Sequence, residues 1–429
     1  MTYLPIPKLL CVVLIMFNYV TLIWGATYTA QQPTAQPAKK EISFQRHSSK
    51  VWSVAFSPDG KYIASAGGDR VKVTNLTTGK ELLKLKNSDR KNFYAVAYSP
   101  DGRWLVGSQN KLRDRKTRRT GDLTITTFIY VGETIIWDAQ TGAVRAIIND
   151  DDAPAWQIAF APDGKTLAIG TGPTTPKEKD CAKELCEGYG EVLLVHTSDW
   201  RIRTRLKGKA SPIEVLAFSS NGKWLAGSSK MRGTTGGDAN EEFEALIWNT
   251  ATGALQERLP RHAGAIMALA FSPDNRLLAS AGRDRSLRIW DTQTWQMVRQ
   301  ASEFMISADE LETITDSAGK KKAKDALPHI SWLSALVFTK DSQTIIGSGA
   351  DGILRFYQTE SGKISHVVKP RGWPITSWDQ PWDSSTMMFV FMYRRPIFYG
   401  LLNSLALSPD GRRLATGGAD GKTRVMELE

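Results

Sequence analysis

Ser57-Pro58-Asp59-Gly60, Ser99-Pro100-Asp101-Gly102, Ala161-Pro162-Asp163-Gly164 and Ser408-Pro409-Asp410-Gly411 are four copies of one phrase in this chain of 429 residues. Three looser copies stand between them: Ser219-Ser220-Asn221-Gly222, Ser272-Pro273-Asp274-Asn275 and Thr339-Lys340-Asp341-Ser342. Each copy marks a new structural unit. Repetition in fixed phase means one supersecondary unit stacked on itself, and here it decides the fold.

The unit from His262 to Gln300 shows what is repeated. Ile266 to Phe271 reads as an apolar strand that ends in the turn Pro273-Asp274-Asn275. Leu277 to Ala281 is a second strand, Ser286 to Trp290 a third and Gln296 to Arg299 a fourth, with polar turns between them. Four short antiparallel strands at even spacing suit one blade of a propeller. Seven units predict an all-β, seven-bladed β-propeller.

These same residues carry a resemblance. The unit from His262 through Asp284 to Trp290-Asp291 resembles the WD-repeat family of β-propellers, with Arg261-His262 where the family has Gly-His. Trp137-Asp138 and Trp248-Asn249 recur at the corresponding place. The resemblance implies a blade-tying network of His262, Ser280, Asp284 and Trp290, complete only in the fifth unit and structural rather than catalytic. The first unit keeps His47, Ser65 and Asp69, with Asn75 assigned to the Trp position. The sixth keeps His329, Ser348 and Asp351, with Tyr357 there. The last unit stops at Met426-Glu427-Leu428-Glu429, after its third strand. Its fourth is expected from Ile42 to Gln45, so that an N-terminal strand closes the ring and removes two exposed edges.

The spacing of the phrase is irregular. From Asp59 to Asp101 there is room for one blade and little more, and every later interval is longer. In units two, three and four the excess falls between the second and third strands, at 111–130, 173–188 and 231–242. After units five and six it falls between the fourth strand and the next blade, at 301–328 and 371–398. Strands alternate direction within a blade, so both kinds of connection leave by the same face of the disc. Long loops on a rigid scaffold are where binding resides, and this face is the expected site.

The first insertion is basic, with Lys111, Arg113, Arg115, Lys116, Arg118 and Arg119 against Asp114 alone. It reads as a contact for an acidic protein, a polyanion or anionic lipid head groups, or as a solvated loop. The insertion at 231–242 is acidic, and the two would also satisfy each other. In the next, Ser307 and Glu310 make a capping box that predicts a short helix to about Ile314. The last insertion holds Trp373, Trp378, Trp382, the apolar run Met387 to Met392, and Arg394 and Arg395. Aromatics and Arg dominate interaction hot spots. It reads as a cap that contacts a partner or a membrane, or as a mini-core that folds over the disc and plugs its channel.

Ahead of the repeats, Lys8 precedes an apolar run from Leu9 to Trp24, followed by Gly25 and Ala26. Residues 1–26 read as a signal peptide or as a membrane anchor at the short end for spanning a bilayer. The charge before the run places the repeats outside the cytoplasm. Residues 27–40, rich in Gln, Thr, Ala and Pro, read as a flexible linker, and 41–429 as the propeller. Of three cysteines, Cys11 lies in the leader. Cys181 and Cys186 would form a local disulfide in an oxidising compartment, or stay as two thiols.

The net charge of +11 favours acidic partners. Export argues against nucleic acid. Asp150, Asp151 and Asp152 could attract calcium but lack a spaced oxygen-ligand loop. No phosphate loop, nucleophile elbow or paired-histidine metal motif occurs, and no cofactor or metal is expected. Two functions follow. The first is a non-enzymatic, monomeric scaffold that binds a protein partner, with membrane contact through the N-terminal segment if it is uncleaved. The second is an enzyme or small-ligand sensor with its site at the channel mouth of the same face.

Overall fold

The turn phrase is legible in atomic detail. In the first copy the Ser57 hydroxyl donates to Asp59 Oδ1 (2.6 Å) and accepts from the Tyr62 N–H (3.0 Å). Asp59 Oδ1 also accepts from the Lys61 N–H, and Gly60 sits at φ +67°, where a Cβ would be strained. The same set recurs at Ser99 and Asp101, Ser219 and Asn221, Ser272 and Asp274, Thr339 and Asp341, and Ser408 and Asp410. In the fifth and sixth copies Asn275 and Ser342 take the left-handed position at φ +63° and +61°. Asn tolerates this better than most side chains.

The chain was described from a computed structural model, which covers residues 36–37, 41–44, 47–68, 70–86, 92–120, 123–150, 153–172, 190–208, 212–228, 243–301, 332–349, 352–369 and 402–428. Every regular element among them is a β-strand. In the first blade Val51–Phe56, Tyr62–Gly67, Arg70–Asn75 and Glu81–Lys86 pair antiparallel in chain order. Six more sheets repeat the arrangement, with first strands Phe93–Tyr98, Ala155–Phe160, Val215–Phe218, Ile266–Phe271, Leu333–Phe338 and Leu402–Leu407. The architecture is a seven-bladed all-β propeller.

The ring closes as the sequence requires. Glu41–Ser43 pairs antiparallel with Thr423–Glu427, Ile42 opposite Val425, and supplies the outer strand of the seventh blade. Arg424 holds this strand by charge. Its side chain is 1% exposed, its Nη2 lies 2.7 Å from Asp420 Oδ2, and its Nε lies 3.4 Å from Glu41 Oε1. The sixth blade departs from four strands, because Gln36–Pro37 adds a short parallel strand at its outer edge, Gln36 opposite Val368.

The core is distributed between blades rather than within them. Ala95, Val106 and Ile136 of the second blade pack with Ile158, Leu167 and Leu193 of the third. Phe44 and Val425 pack with Val51 and Ile63 across the closure. Each sheet therefore buries both faces, which explains the long apolar strands. The largest buried side chains are Trp137, Trp248 and Trp290.

Register corrects one assignment. Trp290 stands opposite Leu278 and Tyr357 opposite Ile345, and in the first blade the corresponding pair is Thr74 with Ile63. Thr74, not Asn75, occupies the Trp position. Asn75 matches Asp291 instead: its Oδ1 accepts the Thr77 and Thr78 N–H groups, as Asp291 Oδ1 accepts those of Gln293 and Thr294.

Candidate functional site

The antiparallel order of each blade places the second-to-third and fourth-to-first connections on one face. The strand ends that carry the five insertions, at Thr120, Thr171, Ser228, Ala301 and Lys369, all open onto it. Of the sequence-designated residues, Trp373, Trp378, Trp382, Arg394 and Arg395 lie outside the described residues. So do Cys181, Cys186, the expected helix after Ser307, the leader and most of the linker.

The basic insertion is not a loop. Its backbone continues two blade strands into one long hairpin, Trp104–Thr120 against Leu123–Asp138, closing at Thr120 opposite Leu123. Arg115 stands opposite Phe128, Lys116 opposite Thr127, Arg118 opposite Ile125 and Arg119 opposite Thr124. A bulge interrupts the ladder between Leu112 and Asp114, at Arg113. At about 3.4 Å per residue the nine pairs beyond Asn110 carry the arm roughly 30 Å out. The signal was present in the sequence: Leu123 to Val131 is a run of Thr, Ile, Phe, Tyr and Val, the residue types that favour strands.

The arm is rooted in buried polar groups. Gln109 is fully buried and its Nε2–H donates to Glu133 Oε2 (2.6 Å). Asn110 Oδ1 accepts the Ala155 N–H of the third blade (2.8 Å). The hairpin base is thereby tied to the neighbouring blade.

The network of the fifth blade runs as a chain of protons. Trp290 Nε1–H donates to Ser280 Oγ (2.9 Å), and that Oγ lies 2.8 Å from His262 Nε2. His262 Nδ1 in turn lies 3.0 Å from Asp284 Oδ2. The assignment that uses each proton once has Ser280 donating to Nε2 and Nδ1–H donating to Asp284. Asp284 also accepts from the Ser286 hydroxyl and N–H and from the Ala263 N–H. Burial pushes its carboxyl up, but the His262 contact and the Ser286 donors outweigh that and hold it down at about 2. The His262 side chain is 1% exposed, so it fastens two connections of this face and cannot reach a substrate. In the first blade, His47 Nε2 lies 2.8 Å from Ser65 Oγ.

A feature that the sequence reading missed lies at the mouth of the channel. In six blades the first strand slips register at its second residue, between Val51 and Ser53, Phe93 and Ala95, Ala155 and Gln157, Ile266 and Ala268, Leu333 and Ala335, and Leu402 and Ser404. A bulge re-aims the extra side chain. Strict alternation would send Trp52 to the face of Val54 and Phe56, yet those are buried while Trp52 is partly exposed, as is Ala55. Trp52, Tyr94 and Trp156 hold this position in three successive blades and touch. The ring centroids are 5.8 Å apart for Trp52 and Tyr94 and 5.2 Å for Tyr94 and Trp156. Ser334 and Asn403, at the same position, donate instead to the next blade, to the carbonyls of Leu402 and Val51. Small residues follow three places on, among them Ala55, Ala97, Ala159, Ala217 and Ala270.

Among the described residues no group of three or more His, Cys, Asp or Glu is placed to hold a metal ion. No helix among them is long and apolar enough to cross a membrane.

Comparison with known proteins agrees with this geometry. The family model described as "WD domain, G-beta repeat" matches residues 38–73, 253–291 and 398–426. The first match begins ahead of the closing strand, and the second runs from the outer strand of the fourth blade through the third strand of the fifth, so a sequence repeat straddles two blades. The chain is 30% identical over 164 residues to WD repeat-containing protein SL1-17 of Schistosoma mansoni, covering 38% of this chain and 45% of that protein. It is 26% identical over 298 residues to the WD repeat-containing protein WDS homolog of Arabidopsis thaliana, covering 57% and 56%. With the WD repeat-containing protein 26 homolog of the same plant it shares 21% over 319 residues, covering 59% and 50%. The chain spans about half the length of these relatives. WD-repeat propellers are generally protein-interaction scaffolds that bind protein partners. The chain therefore carries WD repeats, and its turns, seven sheets and blade network are those of a WD-repeat type of β-propeller.

Proposed function

We propose that this protein is a non-enzymatic scaffold, exported or tethered to a membrane by its N-terminal segment, that binds an acidic protein partner through the insertion-bearing face. One observation carries the reading: all five insertions root on the same face, and one of them is a paired hairpin whose first strand holds six cations against one acid. A backbone paired into a ribbon loses less chain entropy on binding than a free loop. The net charge of +11 would draw an acidic partner in from a distance. The leader, with Lys8 ahead of an apolar run, supports placement outside the cytoplasm.

The test is capture of partners from membrane extract by the wild type, by a variant with Arg113, Arg115, Lys116, Arg118 and Arg119 changed to Ser, and by a deletion of Arg371 to Arg395. Loss of the same partner with either change supports the reading. Full retention of every partner by both variants refutes it.

A further inference from the structure

We propose that the protein pairs with a second copy of itself through the hairpin arm, the strand Leu123–Asp138 of one copy adding antiparallel to the same strand of the other across residues 124–130. The product is a two-fold dimer joined by a four-stranded ribbon, where the sequence led to the expectation of a monomer. The inference goes beyond the partner-binding reading, because it concerns the edge of the arm opposite its basic strand.

The open edge comes first. The strand Val144–Asp150 covers Leu123–Asp138 only as far as Gly132, which stands opposite Asp150. Beyond it, among the described residues, no strand lies beside Leu123 to Val131 on that side. A two-stranded ribbon is marginal in water by itself, and further strands make it hold. The two edges of the arm also differ. The strand Trp104–Thr120 carries the six cations and the bulge at Arg113, which are devices that keep a sheet edge from pairing. From Leu123 to Val131 there is no charged residue, no Pro and no Gly. A copy meeting the basic edge with its own would set like charges opposite one another, whereas nothing opposes pairing at the other edge. Finally, the open strand complements itself. A two-fold axis normal to the ribbon sets each face against the same face of the copy. With Thr127 at the axis, Ile125 falls opposite Ile129 on one face, and Thr124 opposite Tyr130 and Thr126 opposite Phe128 on the other. Cross-strand pairs of β-branched and aromatic residues stabilise a sheet.

The backbone polarity agrees with this register. The Gly132 N–H turns to the open edge, where it donates to the Ala153 carbonyl at 2.8 Å. The bulge lies on the other strand, so along Leu123–Asp138 the N–H and C=O groups alternate regularly, and those of Thr124, Thr126, Phe128 and Tyr130 face the open edge too. Pairing Thr124 with Tyr130 and Thr126 with Phe128 joins them in about eight hydrogen bonds. Thr127 then meets its copy at a non-hydrogen-bonded position, where opposite Cα atoms are about 4.5 Å apart. The two basic strands end on the outer edges, roughly 14 Å apart, where their cations stay open to an acidic partner. The arms overlap along their length while their bases stand about 27 Å apart.

The test uses the full-length protein in mild detergent, with sedimentation velocity to measure self-association at micromolar concentration. The wild type should sediment as a dimer. Thr127→Lys and Thr127→Glu each set two like charges face to face at the axis, and each alone should weaken the dimer about 10-fold or more. Mixing the two variants should restore it, because the charges then oppose, and that rescue excludes misfolding as the cause of the loss. Thr127→Cys should cross-link two copies under mild oxidation well above the wild-type background, since the opposed Cα atoms lie within the roughly 4.4–6.8 Å that a disulfide spans. Lys116→Cys, on the outer strand, should stay at that background. A monomeric wild type, a Thr127→Lys variant that dimerises as tightly as the wild type, or no rescue on mixing overturns the proposal. Equal cross-linking at Thr127 and Lys116 overturns the pairing edge. The partner-capture comparison fails or succeeds separately, because its serine substitutions lie on the other strand and sedimentation needs no partner.

Discussion

Replacing Arg424 by Met should open the ring at its seam, and the structure sets the size of the effect. The Arg424 side chain is 1% exposed, and those of Glu41 and Asp420 are 4% exposed each. Asp420 receives Nη2 at 2.7 Å and Nη1 at 3.3 Å, while Glu41 faces Nε at 3.4 Å, an ion pair without a well-aligned hydrogen bond. Met keeps much of the volume but withdraws the guanidinium from the buried Asp420 and Glu41 carboxylates. Breaking a buried pair in this way costs about 3–5 kcal/mol. Glu41→Gln leaves the bidentate Asp420 contact in place and should cost only about 1 kcal/mol. Urea unfolding followed by tryptophan fluorescence measures both. Limited proteolysis reports the seam directly, since release of Glu41–Ser43 should expose the chain ahead of His47 to cleavage before any global unfolding. A loss below about 1 kcal/mol for R424M, or equal losses for the two variants, would refute the idea that a buried charge holds the closure.

Three further outcomes follow from other parts of the molecule. Because the Asp284 carboxyl is held down at about 2, its contribution to stability is complete above the ordinary carboxylate range near pH 4 and is lost as pH falls through 2. Asp284→Asn should remove that part of the acid sensitivity, seen as a flatter Tm profile between pH 4 and pH 2. An unchanged profile would show that the His262 network does not govern it. Trp200 and Trp295 sit at φ +57° where other blades have Gly, each packed edge-on against the preceding blade, on Trp104 and Trp224. Trp295→Gly should relieve about 1 kcal/mol of backbone strain but forfeit about 3–5 kcal/mol of packing. The net loss of about 2–4 kcal/mol in chemical denaturation would be contradicted by a variant as stable as the wild type. Shortening the arm by deleting 113–128 should leave Tm within a few degrees of wild type while abolishing partner capture. A collapse in Tm would mean that the arm is part of the core.

The decorated face illustrates what could be inferred in advance. Counting the turn phrases yields the blades, and their intervals show which connections are long, because strand alternation leaves no choice of face. The hairpin was also inferable, from the β-branched run Leu123 to Val131, but the basic strand beside it read as a polar loop. Placing the first blade's Asn75 one residue off came from counting along a strand where pairing decides register.

The sequence by itself determined the number of units, the order of their strands and the seam at the N-terminus. Each turn is specified by residues within five positions of one another, as Ser57, Asp59, Gly60 and Tyr62 show, so their chemistry is local and repeats legibly. Only the tertiary structure decided which side chains meet at the channel mouth. Trp52, Tyr94 and Trp156 lie far apart in the chain and share a surface because register slips turn them out of the pleat and the ring sets three blades side by side. A bulge is one residue of extra backbone, invisible to a period-2 pattern, and the contact it creates exists only once the blades have packed.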